Sequence, residues 1–172
     1  MELIQAKEID FERITAFYRY VIDNTENMDI YCRWIYGLHP DDEMIREYIL
    51  AGKLYYCEEK GSICAALAVT AQDEDYHDVQ WSLTLEDNEV AVVHILCVDP
   101  KLQGQGIARQ VMEQIIGQAG RMGKKAVRLD TLSCNIPAQH LYESIGFERR
   151  GTKRWYACNV GWIDFFLYEL IL

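Results

Sequence analysis

Two glycines stand in a segment that could hold a phosphate. In LQGQGIARQVM, Leu102 to Met112, Gly104 and Gly106 follow an apolar strand pattern and come directly before a helix pattern. The first amides of a helix have no intrahelical partner and the helix dipole adds positive potential, so this turn predicts an anion site. Glycine also lets the backbone approach a phosphate without a side chain in the way.

Three interpretations of this turn compete: a dinucleotide site, a site for another pyrophosphate, and an ordinary strand-to-helix turn. Asp130 ends the next strand pattern, about where the ribose-binding acid of a dinucleotide site would stand. Two details oppose that site: Arg109 holds the third glycine position, and the five residues 99–103 separate the strand from Gly104. A P-loop is excluded because no Gly-Lys-Ser/Thr ending follows the turn.

Elements that would position this turn can be read from the periodicity of apolar residues. The spacing predicts a first helix from about Asp10 to Ile22 and a second helix behind Pro40. The segment KLYYCEEKGSICAALAV predicts a hairpin that folds back at Lys60-Gly61. The polar stretch QDEDYHDVQWSLTLEDNE then predicts a long exposed connection, and AVVHILCV predicts a buried central strand.

The pattern of helices and strands continues beyond the glycine turn. A helix that begins at Ile107 ends near Gly120 or Gly123, and the strand KKAVRLDTL follows. A short helix runs from Ile136 to Ser144 and is capped by Asn135. The closing segment WIDFFLYELIL is apolar on both faces and predicts a strand inside a sheet. This order predicts an α/β protein of the α+β type, a mixed sheet of about six or seven strands with helices on both faces.

Composition limits the class of protein. The chain has 172 residues, 50% of them hydrophobic and 26% charged, so we expect one domain over residues 1–172. A formal net charge of −10 opposes a nucleic-acid surface, and the charged residues near the start supply neither a signal peptide nor a membrane span. We therefore expect a cytoplasmic protein with no nucleic-acid partner and no membrane partner.

The cysteines show no CxxC pair and no metal-ligand spacing. We expect buried thiols and no metal site, as is usual for cysteines in apolar runs of a cytosolic chain. The six are Cys32, Cys57, Cys64, Cys97, Cys134 and Cys158.

Two motifs carry a resemblance to a known family. The segment VDPKLQGQGIA resembles motif A of the GNAT superfamily of N-acetyltransferases, whose pattern of Gln or Arg, two residues, Gly, one residue, and Gly or Ala is filled by Gln103, Gly106 and Ala108. The segment CNIPAQHLYESIGFERRG resembles motif B, with Asn135 opening a helix and Tyr142 seven residues later. The resemblance implies the GNAT fold, in which two central parallel strands splay apart.

The resemblance is close over roughly residues 90 to 150 and implies acetyl-CoA as the cosubstrate. In the family the turn amides grip the pyrophosphate of acyl-CoA, and unpaired backbone on the splayed strand hydrogen-bonds pantetheine. The cofactor-binding positions implied are Leu96, Cys97, Val98, Gln103, Gly104, Gln105, Gly106, Ile107, Ala108, Arg109 and Asn135. Cys97 also invites interpretation as a nucleophile, but a reactive thiol needs an accessible, electropositive setting that a buried strand does not provide.

The chemistry of the family implies a general acid. A primary amine attacks the thioester directly in a ternary complex, and the departing thiolate needs a proton, which a phenol within hydrogen-bond reach supplies. Tyr142 takes that role by its place in motif B, and a half-buried packing tyrosine is the alternative. Asn135 is a helix N-cap on the sequence alone.

The general base is left open between two residues. An alkylamine with a pKa of ~10.4 is only about one part in a thousand neutral near pH 7, so a base or a water chain must assist. His94 lies on the central strand, on the same face as Leu96 by the period of two, while a satisfied core histidine is its alternative. Asp130 ends the neighbouring strand, where some relatives carry a catalytic glutamate, and a carboxylate bonded to backbone is its alternative.

Acceptor specificity is expected in the first two helices and in the connection before the central strand. Tyr31, Trp34 and Tyr36, together with acids such as Asp73, would suit a cationic amine, although a solvated acidic loop is the more common explanation for such a run of acids.

The function that follows is an acetyl-CoA-dependent N-acetyltransferase that acts on a primary amine, of a small molecule rather than of a protein terminus. A protein N-terminal or lysine acetyltransferase and a non-catalytic acyl-CoA-binding module are the alternatives. Dimers are common in the family, so a homodimer is compatible with the sequence.

Overall fold

Residues 2–172 of the chain are described by a computed structural model, and seven strands within this range form one sheet. The strands are β1 Leu3–Gln5, β2 Leu54–Glu59, β3 Ser62–Thr70, β4 Val90–Val98, β5 Ala126–Leu132, β6 Glu148–Ala157 and β7 Gly161–Ile171. Their order across the sheet is β1-β2-β3-β4-β5-β7-β6. β4 and β5 pair in parallel, and the other neighbours pair antiparallel.

Helices cover both faces of the sheet. They are α1 Phe11–Asn24, α2 Met28–Tyr31, α3 Asp42–Leu50, α4 Ile107–Arg121 and α5 Ile136–Ile145. One buried cluster joins α1 and α3 to the first face, and a second joins α4 and α5 to the other. The predicted mixed sheet with helices on both faces is therefore confirmed. Within residues 2–172 no helix is both long enough and apolar enough to cross a bilayer.

Local signals in the sequence explain the ends of these elements. Asp41 caps α3 by accepting a hydrogen bond from the amide of Met44 at 2.8 Å. Gly146, with φ of 109°, ends α5 in the left-handed conformation that glycine adopts without strain. Lys60 and Gly61 have φ of 53° and 81°, the pair of positive values that a type I′ turn requires, and the predicted hairpin is confirmed. β1 and α2 were not predicted, because three and four residues are too few to show a period.

The parallel strands β4 and β5 separate along their length. Their pairing begins at Val90 with Ala126 and ends at Val93 with Leu129, although β4 continues to Val98. Beyond that point β4 pairs with β3 alone among the described strands, and β5 pairs with β7. The predicted splay is thereby confirmed, and it leaves one edge of the β4 backbone open toward β5.

A bulge in β4 changes which side chains share a face. Three residues of β4, His94 to Leu96, stand opposite two of β3, and Ile95 takes a φ of +46°, a strained value for a β-branched residue. The hydroxyl of Tyr18 donates to the carbonyl of Ile95 at 3.0 Å and holds the bulge. Leu96 packs on the α4 side, whereas His94 stacks on Tyr48 of α3. The expectation that His94 and Leu96 share a face is wrong, because the extra residue shifts the period of two.

The connection of residues 71–89 is mostly exposed, as predicted, but Gln72 and Tyr76 within it are buried. Tyr76 is only 3% exposed, and the ring of Trp81 stacks on it at 5.8 Å. The backbone amide of Ser82 donates to the Glu169 carboxylate at 2.9 Å, and Arg128 donates to this connection as well. The predicted exposed connection is therefore confirmed for most of its residues, while buried charges of β5 and β7 supply partners for a few of its polar groups and hold it to the sheet there.

The cysteines differ in burial more than expected. Cys57, Cys64 and Cys97 are buried, as predicted. Cys158, near the turn between β6 and β7, is exposed, because the tip of this hairpin extends beyond the sheet. Cys32 and Cys134 are partly buried.

Candidate active site

A cavity of about 530 Å³ opens where β4 and β5 diverge. It is bounded by both strands, by α3 and α5, by the segment before α3 and by the hairpin β6–β7. Candidate residues from three separate parts of the sequence, β4, β5 and α5 with its N-cap, meet here, since the lining includes His94, Leu96, Asp130, Asn135 and Tyr142. The splay is what makes room for them, because continuous pairing of β4 with β5 would fill this space with backbone hydrogen bonds.

Asp130 carries the one carboxylate in the lining of this cavity, as far as the described residues go. Burial raises the pKa of Asp130 to about 6, and the negative charges of Asp73 and Asp75 add to the rise. The hydroxyl of Tyr76 donates to Oδ1 of Asp130 at 2.5 Å and acts in the opposite direction, because it stabilises the ionised form. A carboxylate with this pKa can take up and release a proton near neutral pH.

His94 is held as a neutral imidazole. Its ring stacks on Tyr48 at 6.1 Å, and burial lowers the pKa of His94 to about 4. Nε2 lies 2.9 Å from the hydroxyl of Thr70, which itself donates to the carbonyl of Ala71 at 2.7 Å. Nε2 of His94 donates to the Thr70 hydroxyl or accepts from it, according to the tautomer of the neutral ring.

Tyr142 projects from α5 into the same cavity. Its ring packs against Phe147 and Tyr168, with ring centroids 6.0 and 5.9 Å away, and the residue is 7% exposed. Burial raises the pKa of Tyr142 above its ordinary value, and the charge of Asp130 raises it further. Among residues 2–172 no hydrogen-bond partner occupies its hydroxyl, so the protonated phenol remains available to a ligand.

Cys97 does not contribute a nucleophile. Its side chain lies in the buried cluster under α1 and α3, and burial raises the pKa of the thiol well above its ordinary value. The thiol is therefore protonated and inert at neutral pH. The backbone of residues 96–98 is the part of this stretch that faces the gap between β4 and β5.

The glycine turn presents free backbone to solvent. Gly104 and Gly106 have φ of 75° and 81°, and a side chain added at either position would meet no atom within 4 Å. Gly106 is the N-cap of α4, so the first amides of that helix, at residues 107–109, point into the open space beside the turn. This arrangement can bind an anion such as a pyrophosphate.

Polar side chains of motifs A and B brace the turn and its neighbours. The Gln103 side chain donates to the carbonyl of Val98 at 3.4 Å, which ties the turn to the end of β4. Arg109 donates to the hydroxyl of Ser144 at 2.6 Å, which ties α4 to α5. Asn135 caps α5 by accepting from the amide of Ala138 at 3.3 Å, as predicted.

The acceptor side of the cavity includes residues that the sequence analysis missed. Of the aromatic residues named there, Trp34 lines the cavity, while Tyr31 and Tyr36 do not. Tyr36 instead donates to Asp42 at 2.5 Å. The missed lining residues come from α3 and from the hairpin β6–β7, whose sequence has no motif to mark them: Tyr48, Tyr156, Cys158, Asn159 and Phe165.

The tip of the hairpin β6–β7 contacts the segment before α3 across the cavity. The side-chain amide of Asn159 donates to the carbonyl of Arg33 at 2.6 Å, and the thiol of Cys158 lies 3.0 Å from the carbonyl of Leu38. These two contacts join residues 126 and 120 positions apart in the chain. We call this pair of contacts the roof of the cavity.

The family is decided by a comparison of the sequence with family models. The model described as the acetyltransferase (GNAT) family matches residues 10–147. The chain belongs to the GNAT family. The matched region spans the glycine turn and the helix that carries Tyr142, so the resemblance of motifs A and B is confirmed.

Curated relatives of this GNAT chain are similar over parts of their length. An uncharacterised N-acetyltransferase of Methanocaldococcus jannaschii is 24% identical over 143 residues, which are 83% of this chain and 55% of that protein. The ribosomal protein bS18-alanine N-acetyltransferase of Haemophilus ducreyi is 30% identical over 96 residues, 56% of this chain and 55% of that protein. Human N-acetyltransferase 8B is 35% identical over 68 residues, 40% of this chain and 30% of that protein. The GNAT chain thus spans about half or less of the length of these relatives.

Solved structures share the fold of this GNAT chain. A GNAT family acetyltransferase of Streptococcus agalactiae has a TM-score of 0.77 at 18% identity, covering 99% of this chain and 95% of that one. A ribosomal-protein-alanine N-acetyltransferase of Brucella melitensis has a TM-score of 0.71 at 19% identity over 100% of both chains. A Salmonella typhimurium structure with its cofactor acetyl-CoA has a TM-score of 0.68 at 20% identity, covering 99% and 93%.

Proposed function

We propose that this chain is an acetyl-CoA-dependent N-acetyltransferase whose acceptor is the primary amine of a small molecule. One observation carries the proposal: a single cavity at the splay of β4 and β5 holds Asp130, His94 and Tyr142, and the glycine turn lies at the end of β4. A proton acceptor, a proton donor and an anion site are the groups that acyl transfer from a thioester to an amine requires.

The residues present fit acetyl-CoA, which supplies the acetyl thioester. Residues 104–109 offer glycines without obstruction and free helix amides for a pyrophosphate. The open edge of β4 at residues 96–98 offers backbone groups for the amides of pantetheine, as an added strand would. A backbone amide on this edge can also polarise the thioester carbonyl.

Asp130 is our candidate for the general base. With a pKa of about 6 its carboxylate is mostly ionised at pH 7, so it attracts an ammonium group and can receive a proton from it, directly or through water. His94 is the second candidate, because its neutral ring lines the same cavity, but its pKa of about 4 makes it a weak base.

Tyr142 is our candidate for the general acid. Burial keeps its phenol protonated throughout the physiological range, so the proton is present when the sulfur of the leaving group becomes charged. The free hydroxyl and the shared cavity support this role.

The roof favours a small acceptor over a polypeptide. Two contacts, from Asn159 to Arg33 and from Cys158 to Leu38, join the hairpin β6–β7 to the segment before α3, and we infer that they restrict the room for a peptide chain behind its terminal amine. The names of the Haemophilus and Brucella relatives favour a second candidate, acetylation of the N-terminal alanine of a protein. A small amine and a peptide that begins with alanine must therefore be compared directly.

The first experiment measures acetyl-CoA binding by isothermal titration and CoA release across a panel of amines. We expect Gly106→Ala to weaken acetyl-CoA binding about tenfold, because a Cβ at φ of 81° is strained and would occupy the open space beside the turn that the pyrophosphate needs. Gly120→Ala is the matched control, since Gly120 is an exposed glycine of the same helix with no positive φ, and its affinity should not change. No acetyl-CoA binding at millimolar concentration would refute the proposal, and binding without turnover of any amine would favour a non-catalytic acyl-CoA-binding module.

A further inference from the structure

We propose that the acceptor is a primary amine on an aromatic or similarly apolar body that carries no carboxylate. This inference rests on the proposed function and concerns Asp130 and the aromatic residues that line the same cavity. It is drawn from the charges and rings that line the cavity.

The lining can hold one positive charge and offers no partner for a negative one. Asp130 is acidic, and no Lys or Arg lines the cavity within the described part of the chain. Cations near the lining have other partners. Arg33, between the lining residues Cys32 and Trp34, donates to the carbonyl of Ile30 at 3.4 Å. Arg154 pairs with Asp164 at 3.2 Å, and Lys153 donates to the Asp75 carbonyl at 2.7 Å. Lys53, whose charge acts on His94, lines a separate depression between β2 and α4.

The histidines of the lining do not replace a cation. Burial lowers the pKa of His39, and burial lowers the pKa of His94 to about 4, so both rings are neutral at pH 7. A carboxylate carried by the acceptor would lose its hydration here without gaining a positive partner. We therefore expect an amino acid to be a poorer acceptor than the primary amine that has the same side chain and no carboxylate.

Aromatic rings from separate elements form the walls around Asp130. They are Trp34 from the segment before α3, Tyr48 from α3, and Tyr156 and Phe165 from β6 and β7. Such rings bury an apolar or aromatic group and attract an adjacent ammonium group through their π faces. The volume of about 530 Å³ is within the range of about 300 to 1,000 Å³ typical of small-molecule pockets.

The distribution of acids favours an acceptor with one ammonium group rather than several, because the negative charge lies on the side of Asp130. Asp73 and Asp75 act electrostatically on Asp130 itself, so negative charge is concentrated at one end of the cavity. A polyamine would place its further ammonium groups among the rings, where the described lining has no second carboxylate.

The test compares phenethylamine with phenylalanine, which differ by one carboxylate and share the ring and the amine. We expect kcat/KM with acetyl-CoA to be about 100-fold or more higher for phenethylamine than for phenylalanine. The reason is that the carboxylate of phenylalanine would be buried in the cavity without a positive partner. Spermidine and a short peptide that begins with alanine are assayed beside them. Equal or better use of phenylalanine, spermidine or the peptide would overturn the inference while leaving the proposed acetyltransferase function intact.

Tyr156→Arg provides a gain-of-function test. The side chain of Tyr156 lines the cavity and the residue is 65% exposed, so the fold tolerates its replacement. The new cation should raise the kcat/KM for phenylalanine about tenfold or more relative to phenethylamine, because the carboxylate gains a partner. Tyr156→Gln is the matched neutral control and should not change this ratio in favour of phenylalanine; an unchanged ratio in the arginine variant contradicts the inference.

Equilibrium binding separates failure of the inference from failure of the proposed function. Isothermal titration of phenethylamine and phenylalanine into the protein with CoA present measures the preference without any chemistry. If no amine is acetylated, the proposed function fails, and tighter binding of phenethylamine still supports the preference of the cavity. Tighter or equal binding of phenylalanine overturns that preference.

Discussion

Asp130 acquires its properties from a residue 54 positions away in the chain. The hydroxyl of Tyr76 donates to Oδ1 of Asp130 at 2.5 Å. This hydrogen bond lowers the pKa of Asp130, whereas burial raises it. Tyr76 is therefore a positioning residue: it orients Asp130 and sets the pH at which the carboxylate forms. The sequence marked Asp130 as a candidate, but nothing local linked it to a tyrosine in the connection of residues 71–89.

The first prediction concerns the pH dependence of turnover. If Asp130 is the base, it works when ionised, so kcat should rise with pH through about 6 and then level off. Tyr76→Phe removes a hydrogen bond to the ionised form, so the Asp130 pKa rises and the ascending limb moves to higher pH. His94→Gln is the control, since the His94 pKa of about 4 lies below the assay range and the limb should stay in place. A limb that persists in Asp130→Asn would remove Asp130 as the base.

The second prediction concerns Tyr142. Tyr142→Phe should lower kcat about 100-fold, the scale of general acid catalysis, and leave the dissociation constant of acetyl-CoA nearly unchanged. Tyr168→Phe is the matched control, because the Tyr168 hydroxyl donates to Glu143 at 2.9 Å and lies outside the lining of the cavity. Rapid-quench kinetics would measure the chemical step, and an undiminished rate in Tyr142→Phe would refute its role as the acid.

At the scale of elements, the connection of residues 71–89 depends on a buried ion pair. Arg128 on β5 and Glu169 on β7 are 1% and 0% exposed at their side chains, and their nitrogen and oxygen lie 2.8 Å apart. Arg128 also donates to the carbonyl of Leu83 at 3.0 Å, and its guanidinium lies 4.2 Å from the centre of the Trp81 ring. The connection that supplies Tyr76 to Asp130 is thus fastened to the sheet.

Loss of this ion pair should be costly. Arg128→Met leaves the buried Glu169 carboxylate with Arg150 as its remaining cation, and we expect a loss of about 3 kcal/mol in the free energy of unfolding. Urea denaturation measures this value, and limited proteolysis should show earlier cleavage within residues 71–89. Arg154→Met, which removes an exposed ion pair with Asp164, should leave the urea midpoint nearly unchanged. Equal stability of the two variants would contradict the proposed anchoring.

The elements themselves were largely predictable, and their exceptions have a physical cause. α1, α3, α4 and the hairpin β2–β3 follow apolar periods and turn residues that act over a few neighbours. The bulge at Ile95 was not predictable, because a strained φ persists only where packing and the hydroxyl of Tyr18 hold it. That one residue moves His94 to the face opposite Leu96 and toward the acceptor side.

At the scale of the whole molecule, the roof joins a segment near the start of the chain to a hairpin near its end. The hairpin β6–β7 and the segment before α3 lie on opposite sides of the cavity, and Asn159 joins them through the carbonyl of Arg33. We expect Asn159→Ala to loosen this contact and to raise the use of an alanine-starting peptide relative to a small amine. The ratio of the two kcat/KM values measures the effect. Asn24→Ala, which removes a side-chain bond within α1, is the control and should leave the ratio unchanged.

Local chemistry in the sequence was sufficient for the glycine turn and the cap at Asn135, and the resemblance to the family marked the candidates Tyr142 and Asp130. These features depend on residues only a few positions apart, or on motifs that such residues compose. The partners of the candidates depend on contacts between distant segments, such as Tyr76 with Asp130 and Asn159 with Arg33. Such contacts follow from strand pairing and burial summed over the whole chain, and no short pattern of residues encodes them. The residues proposed to act at the thioester could therefore be named from the sequence, whereas the lining of the cavity that we propose to select the acceptor is decided by the packing of the fold.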